Sequence, residues 1–278
     1  MNRLFLILAL LAATTRVVGA GASCLGDSEI PDRLGTARLV LFGEVHGIAQ
    51  SPQLVGDYAC WLVAKGERVV LALEVPSQEQ SSLDLFLASA GAAVDRSRLM
   101  SGQFWNRPPE GQDGRSSEAM LMLIERVRQM RGAGKPIAVV AIDDSSASAA
   151  SRDSLMANNL LAAVRRSSGA HVVALVGNAH AAKAKGASSD ANYEPMAYLL
   201  SSESPVSLDI TYSAGSAWVC GSEPGPCKER ALFAAPEWAG RNAKFSLEPP
   251  TYAPGFDGTF FIGRATASPP AAVQREHP

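Results

Sequence analysis

The sequence predicts a three-layer α/β/α fold with a mainly parallel central sheet, and two observations support that prediction. Short, nearly continuous apolar runs rich in β-branched residues recur along the 278-residue chain, as they do in strands buried on both faces. Segments with apolar residues at helical spacing lie between these runs, and some of them end at glycine. Strands that alternate with helices indicate a parallel sheet covered by helices on both sides.

The predicted elements follow one another in a regular order. The early strands are expected at Ala37–Phe42, Val69–Leu73, Ile137–Ile142 and Val172–Val176. The later strands are expected at Val206–Thr211 and Gly258–Ile262, and helices at Pro52–Lys65, Glu118–Met130 and Ser154–Arg166. The long segment from Ser77 to Gly134 is more than a simple crossover, and it predicts a helical excursion over one end of the sheet.

Composition and the amino terminus indicate an exported globular protein. The chain is 47% apolar, which is too much for a disordered protein, and its net charge of −2 argues against nucleic-acid binding. Residues 1–20 combine a positive start, a short apolar run and small residues, which predicts a secretory signal peptide rather than a transmembrane helix. We expect residues 21–264 to form a single domain and residues 265–278, rich in Ala and Pro, to be a disordered tail. The expected location is the periplasm or the exterior, with no transmembrane segment.

The four cysteines fit a protein with disulfides. Cys220 and Cys227 flank a turn-rich loop that a bridge could close, and Cys24 with Cys60 would join the mature amino terminus to an early helix. A metal site is the alternative, but no pair has the close spacing typical of zinc ligands. Cys24 also follows Gly-Ala-Ser, which resembles a lipoprotein cleavage site and makes an envelope lipoprotein the alternative to plain secretion.

Polar residues follow each of the four early strands. The carboxyl ends of parallel strands meet at one edge of an open α/β sheet, where ligands bind. The residues that fall at this edge are Glu44, His46, Glu74, Asp143, Asp144, Asn178 and His180. Two of the four histidines of the chain are among them. Helix capping is the alternative interpretation for the acids, above all for the pair of aspartates.

Histidines beside carboxylates support two kinds of chemistry. Without a metal, His46 would act as general base for water, oriented by Glu44 and Glu74, while His180 would be a second base or an oxyanion partner. With a divalent metal, the same four residues would be the ligands and would leave a position open for water. We expect Arg152 to hold a carboxylate or a developing oxyanion.

Further candidates for substrate binding are less specific. Asn178 lies beside His180, and Arg115 could bind an anionic group or be a surface residue at a helix start. Gln80 follows Glu74 by six residues and could return to the site after a turn. Neither a P-loop nor a Rossmann glycine pattern is present, and no serine lies in a nucleophile elbow.

Four motifs together resemble the erythromycin esterase/ChaN-like superfamily, which also includes the Tiki and TraB-type proteins. The motifs are Leu-Phe-Gly-Glu-Val-His-Gly (41–47), Leu-Ala-Leu-Glu-Val-Pro-Ser-Gln-Glu-Gln (71–80), Arg152-Asp153-x-x-Met156-Ala157 and Val-Gly-Asn-Ala-His (176–180). The resemblance covers residues 37 to 185, and the early helix makes the ChaN-like haem-binding branch the most similar.

The branches of this superfamily imply different functions. The esterase branch opens lactones by water attack, with residues that match His46, Glu74 and His180. The Tiki branch consists of metal-dependent peptidases with Gly-x-x-His motifs, and the ChaN branch takes up haem or iron. The resemblance therefore implies an exported hydrolase-like protein acting on a small-molecule or peptide substrate, or a haem-binding protein without turnover. Haem would need an axial ligand such as Tyr58, Tyr193, Tyr198 or a histidine.

Overall fold

The computed structural model of the protein covers most of the chain. It describes residues 24–144, 146–186, 190–221, 224–233 and 245–272. The predicted signal peptide, residues 1–20, lies outside the described residues.

Nine strands occur in the described part of the chain. They are β1 (Leu39–Glu44), β2 (Val69–Pro76), β3 (Ile137–Asp143), β4 (His171–Gly177), β5 (Val206–Thr211), β6 (Ala214–Val219), β7 (Lys228–Phe233), β8 (Phe245–Ser246) and β9 (Gly258–Phe261). Seven of them form one sheet in the spatial order β3-β2-β4-β1-β5-β9-β8, and only the short edge strand β8 is antiparallel to its neighbour. The other two, β6 and β7, form a separate antiparallel hairpin.

Helices connect most of the parallel strands and cover the sheet on both sides. They are α1 (Asp32–Thr36), α2 (Gln50–Ala64), α3 (Gln80–Leu87), α4 (Ala93–Leu99), α5 (Glu118–Gly132), α6 (Ala149–Arg166), α7 (Asn178–Ala181) and α8 (Met196–Leu199). Buried side chains of α2, α3 and α5 pack on one face of the sheet, and those of α6 and α8 pack on the other. None of the helices in the described residues is long and apolar enough to cross a membrane.

Successive side chains of each central strand point to opposite faces, and both faces are buried. In β1, Phe42 meets Tyr58 of α2 with their ring centroids 5.5 Å apart. The preceding residue, Leu41, belongs to the core cluster on the other face, together with Leu160 of α6. Because both sides need apolar residues, these strands have continuous apolar sequences. The predicted α/β/α fold class is therefore confirmed.

The element boundaries differ from the predictions where polar residues are buried. The strand expected at Ala37–Phe42 runs on to Glu44, which stays in register with Gly177 of β4. The excursion between β2 and β3 contains α3, α4 and α5, and α5 packs beside α2 on one face of the sheet rather than over one end. The β6–β7 hairpin was not predicted, because its strands lack both an apolar run and a clear alternation.

The tail expected to be disordered from Ala265 is ordered over residues 265–272. Backbone amides of Ala49 and Glu118 donate to the carbonyls of Thr266 and Pro269, both at 2.8 Å. Ala265 itself is 2% exposed. Residues 265–272 are ordered because Ala265, Ser268 and Pro270 are buried and backbone groups of the segment are paired, whereas 273–278 lie outside the described residues. This segment joins the loop after β1 to the start of α5.

Candidate active site

The carboxyl ends of four parallel strands bring the polar residues of the candidate site together. Glu44 ends β1, Glu74 lies near the end of β2, Asp143 ends β3, and His180 lies on α7 directly after β4. Each of the three carboxylates is at most 3% exposed. Buried carboxylates are costly unless cations and hydrogen bonds compensate them, so their partners define the site.

Glu74 is the centre of the cluster. Its Oε1 accepts hydrogen bonds from Nη2 of Arg152 at 2.6 Å and from Nη1 of Arg115 at 3.4 Å. Its Oε2 accepts from the backbone N–H of Gly177 at 2.7 Å and lies 3.4 Å from Nε2 of His46. Burial raises the pKa of Glu74, but His46, by its charge and its hydrogen bond, and Arg115 together outweigh burial and hold that pKa well below its ordinary value. The carboxylate is therefore ionised and acceptor-only.

Asp143 holds both arginines in place. It accepts from Nε and Nη2 of Arg152, both at 2.8 Å, and from Nη1 of Arg115 at 2.8 Å. Arg115 also donates from Nη2 to Asp113 at 2.7 Å. The guanidinium groups are thus fixed by carboxylates on several sides, with the side chains 25% and 17% exposed. Asp143 therefore orients Arg152 and Arg115, and this role replaces the helix-capping interpretation.

His46 lies between two carboxylates. Its Nδ1 is 3.1 Å from Oε1 of Glu44 and its Nε2 is 3.4 Å from Oε2 of Glu74. Burial lowers the pKa of His46, but Glu74 and Glu44 outweigh burial and raise that pKa to about 10. With an acceptor opposite each ring nitrogen, the imidazolium form donates from both. Burial also raises the pKa of Glu44, and His46 opposes that rise.

His180 has the opposite arrangement. Its Nδ1 is 2.8 Å from Oδ1 of Asp153, and its Nε2 is 3.2 Å from Nη1 of Arg152. A guanidinium can only donate, so Nε2 carries the lone pair and Nδ1 carries the proton that Asp153 accepts. The hydroxyl of Tyr193 donates to Oδ2 of Asp153 at 2.9 Å and the amide of Met196 donates to Oδ1 at 2.7 Å. These bonds fix the tautomer with the basic nitrogen directed into the cluster.

Sequence reasoning named Asp153 only as part of a motif and Tyr193 only as a possible haem ligand, and it missed the contact of both with His180. The only sequence signal for a role of Asp153 in the site is its place in the Arg152-Asp153 motif. Its partner His180 is 27 residues away, so the contact exists only once β4 has paired beside β2. Tyr193 lies in a loop before α8 with no neighbouring motif.

Three predicted residues lie apart from the cluster's hydrogen bonds. The amide of Gln80 donates to the carbonyl of Val139 and accepts from the N–H of Ala141, at 3.1 and 2.8 Å, so it is engaged with the edge strand β3. Asp144 binds Ser146 and not the arginines. Asn178 begins α7 with an exposed side chain.

The residues of the cluster do not fit a bound metal ion. A guanidinium nitrogen of Arg152 lies 2.6 Å from Glu74 and another lies 3.2 Å from His180, in the space that a shared cation would need. His46 presents protons rather than lone pairs. No group of three or more His, Cys, Asp or Glu residues in the described part of the chain has a metal-binding arrangement. The positive charge of two arginines also disfavours a cation here.

Two of the tyrosines considered as haem ligands have other partners. Tyr58 is fully buried and its hydroxyl donates to the carbonyl of Leu34 at 2.7 Å. Tyr193 donates to Asp153. Haem binding therefore gains no support from these side chains.

The cysteines form the two expected disulfides. Cys24 is bonded to Cys60 of α2, and Cys220 is bonded to Cys227 across the β6–β7 hairpin. Disulfides are typical of proteins that fold in an oxidising compartment.

Comparison with known proteins supports the fold alone. No protein-family model matches the sequence, and no curated protein matches it. Among solved structures, an erythromycin esterase mutant in its open conformation aligns with a TM-score of 0.59, 13% identity, and coverage of 82% of this chain and 91% of that one. The chain has the fold of an erythromycin esterase. The haem-binding branch of the superfamily stays a prediction.

Two further structures have the same fold. A succinoglycan biosynthesis protein aligns with a TM-score of 0.64 and 10% identity, covering 89% of this chain and 93% of its own. A Bacillus cereus protein aligns with a TM-score of 0.58 and 11% identity, covering 86% and 92%. At such identities the similarity shows the fold alone, so the activity must be argued from the site.

Proposed function

We propose that this protein is an exported hydrolase that cleaves an ester or amide bond by activating water. The observation that carries the proposal is the pairing of His180 with Asp153, which leaves a basic ring nitrogen facing the buried cluster at the carboxyl edge of the sheet. A carboxylate that fixes the tautomer of a histidine is what a general base requires.

The two histidines take different roles in this mechanism. His46 was expected to be the general base, but its place between two carboxylates keeps it protonated at neutral pH. His180 Nε2 is the better proton acceptor. It lies 3.2 Å from Arg152, and this is the longest hydrogen bond of that arginine. A water molecule would replace this bond.

The reaction follows from these roles. His180 removes a proton from water as the oxygen attacks the carbonyl carbon, and the carbonyl π electrons move to oxygen. The imidazolium of His46 and the guanidinium of Arg152 stabilise that oxyanion. Collapse breaks the bond to the leaving alcohol or amine, which takes the proton from His180. Glu44, Glu74 and Asp143 position the cations and do not touch the substrate.

The proposed chemistry acts on a broad class of substrates. A small-molecule ester, a lactone or a peptide fits the proposed chemistry, since all of them form the same tetrahedral oxyanion. The two disulfides support a periplasmic or secreted location for the enzyme.

Turnover of a broad panel of esters, lactones and peptides tests the proposal. We expect His180→Gln to lower turnover by about 10²–10⁴-fold, as is usual for loss of a general base, and His46→Gln to lower it through loss of a charge. His171→Gln is the matched control, since His171 is also buried but lies at the start of β4, at the opposite edge of the sheet. Undiminished turnover in folded His180→Gln protein would overturn the assignment.

A further inference from the structure

We propose that the β6–β7 hairpin is a positioning element of the candidate active site, which fixes where His46 and Arg115 lie on either side of Glu74. The inference rests on the proposed hydrolase function, since it concerns the cations of that site. Arg115 donates to Oε1 of Glu74, and Nε2 of His46 lies 3.4 Å from Oε2. His46 lies in the loop after β1 and Arg115 in the loop before α5. The backbones of both residues therefore depend on contacts with other segments.

One strand of the hairpin contacts the backbone next to both residues. Gly47 follows His46 and Gly114 precedes Arg115, and these glycines have positive φ values of 75° and 91°. The carbonyl of Gly47 accepts a hydrogen bond from the amide of Trp218 in β6, at 3.0 Å. A Cβ added at either glycine would lie under 3.0 Å from the carbonyl oxygen of Trp218, and one at Gly114 would also overlap the amide of Gly47. The three backbones are thus in direct contact, and only glycine fits at the two loop positions.

The closed end of the hairpin is attached to the loop that carries Arg115. Cys220 directly follows β6, Cys227 directly precedes β7, and the two are disulfide-bonded. The amide of Cys227 donates to the carbonyl of Pro109 at 3.0 Å. An isolated two-stranded hairpin is marginally stable in water, so the disulfide stabilises the closed form. The hairpin therefore contacts both loops, and its disulfide supports those contacts.

Displacement of Gly47 should act mainly through His46. Arg115 also donates to Asp143 at 2.8 Å, so a second carboxylate of the cluster keeps it in place. Although burial lowers the pKa of His46, the nearby carboxylates raise it, Glu74 first. A His46 that moves away from Glu74 would lose its charge at neutral pH, and with it the stabilisation of the oxyanion. That charge acts on the transition state, so kcat should fall more than KM rises.

Gly114→Ala tests the proposal, with Gly134→Ala as the matched control. The two glycines lie on either side of α5 with φ values of 91° and 76°, so an added Cβ strains the backbone at both. At Gly134, however, no atom of the described residues lies within 4 Å of that Cβ. We expect Gly114→Ala to lower kcat on the ester panel by about 10²-fold, since a misplacement of about 1 Å can cost that much. Gly134→Ala should keep the kcat of the wild type.

Titration of His46 by nuclear magnetic resonance is a second readout, which needs no substrate. The pKa of His46, about 10 in the wild type, should fall by at least about 1 in Gly114→Ala. The Cys220→Ser/Cys227→Ser variant should show the same fall, and it tests the proposal without a new side chain in either loop. A structural role alone would lower the free energy of unfolding and leave this pKa unchanged in the folded protein.

The matched control for the double serine variant is removal of the other disulfide, in Cys24→Ser/Cys60→Ser. This variant should lose stability but keep the pKa of His46 and the kcat of the wild type. An unchanged His46 pKa in both folded hairpin variants would overturn the proposal, and so would an equal fall in either control. Because the titration measures no turnover, its failure is separate from failure of the hydrolase assignment.

Discussion

Replacing Glu74 with glutamine tests the charge arrangement of the candidate active site directly. The glutamate accepts from Arg152 and Arg115 on one oxygen, and from Gly177 and His46 on the other. Glutamine has the same shape but one oxygen and one NH₂ group. In either orientation, therefore, the NH₂ group faces one pair of donors, and at least one strong buried hydrogen bond is lost.

The size of the effect follows from these contacts. If the amide oxygen stays with the arginines, the Gly177 N–H at 2.7 Å loses its acceptor, and an unsatisfied buried donor costs about 1–3 kcal/mol. Loss of one partner from a buried ion-pair network costs about 3–5 kcal/mol in total. The arginines keep some solvent exposure and retain Asp143, so we expect about 3 kcal/mol, the lower end of that range.

Urea unfolding and histidine titration by nuclear magnetic resonance measure the two consequences. The free energy of unfolding should fall by about 3 kcal/mol. The pKa of His46 should fall from about 10 towards its ordinary value, because Glu74 is the first of the groups that raise it. Glu79→Gln is the matched control, since this buried glutamate accepts, among the described residues, a hydrogen bond from the amide of Phe104, which a glutamine oxygen can still accept. A loss under about 1 kcal/mol with an unchanged His46 pKa would refute the reasoning.

Further predictions concern the dyad, the pH range, the edge strand and a disulfide. Asp153→Asn removes the acceptor that fixes the tautomer of His180, so turnover on the ester panel should fall about 10³–10⁴-fold with the circular dichroism spectrum unchanged; normal turnover would contradict the assigned tautomer. His46 has a pKa of about 10, above its ordinary 6.5, so its contribution to stability is complete below pH 6.5 and lost as pH rises towards 10. The urea midpoint should fall over this range in wild type and more weakly in His46→Gln, and parallel curves would count against the ion pair. Gln80→Ala leaves the Ala141 amide of β3 without its acceptor, which should lower the unfolding free energy by about 1–2 kcal/mol in urea; no loss would mean that water replaces the bond. Removing the Cys24–Cys60 bond, which joins residues 36 apart, should cost about 2–4 kcal/mol in thermal unfolding, and an unchanged midpoint would argue against its formation.

The parallel sheet could be predicted because its signals are local. The strand predicted at Val206–Thr211 has the observed bounds of β5, since an apolar run between turns defines a strand without any knowledge of its neighbours. The position of Glu44, Glu74 and His180 at one edge followed from parallel pairing alone. The ordered segment 265–272 and the β6–β7 hairpin depend on distant contacts, such as that between Ser268 and the amide of Ala119. No pattern within those segments records these contacts.

The roles of the two histidines show why site chemistry is harder to predict than site position. His46 and His180 both follow a strand and both have an acid close in sequence or space. What separates them is the group opposite the second ring nitrogen, which is the carboxylate of Glu74 for one and the guanidinium of Arg152 for the other. A carboxylate there retains the proton, and a guanidinium excludes it. Glu74 lies 28 residues from His46, and Arg152 lies 28 residues from His180. Only the folded sheet therefore decides which histidine is the proposed base.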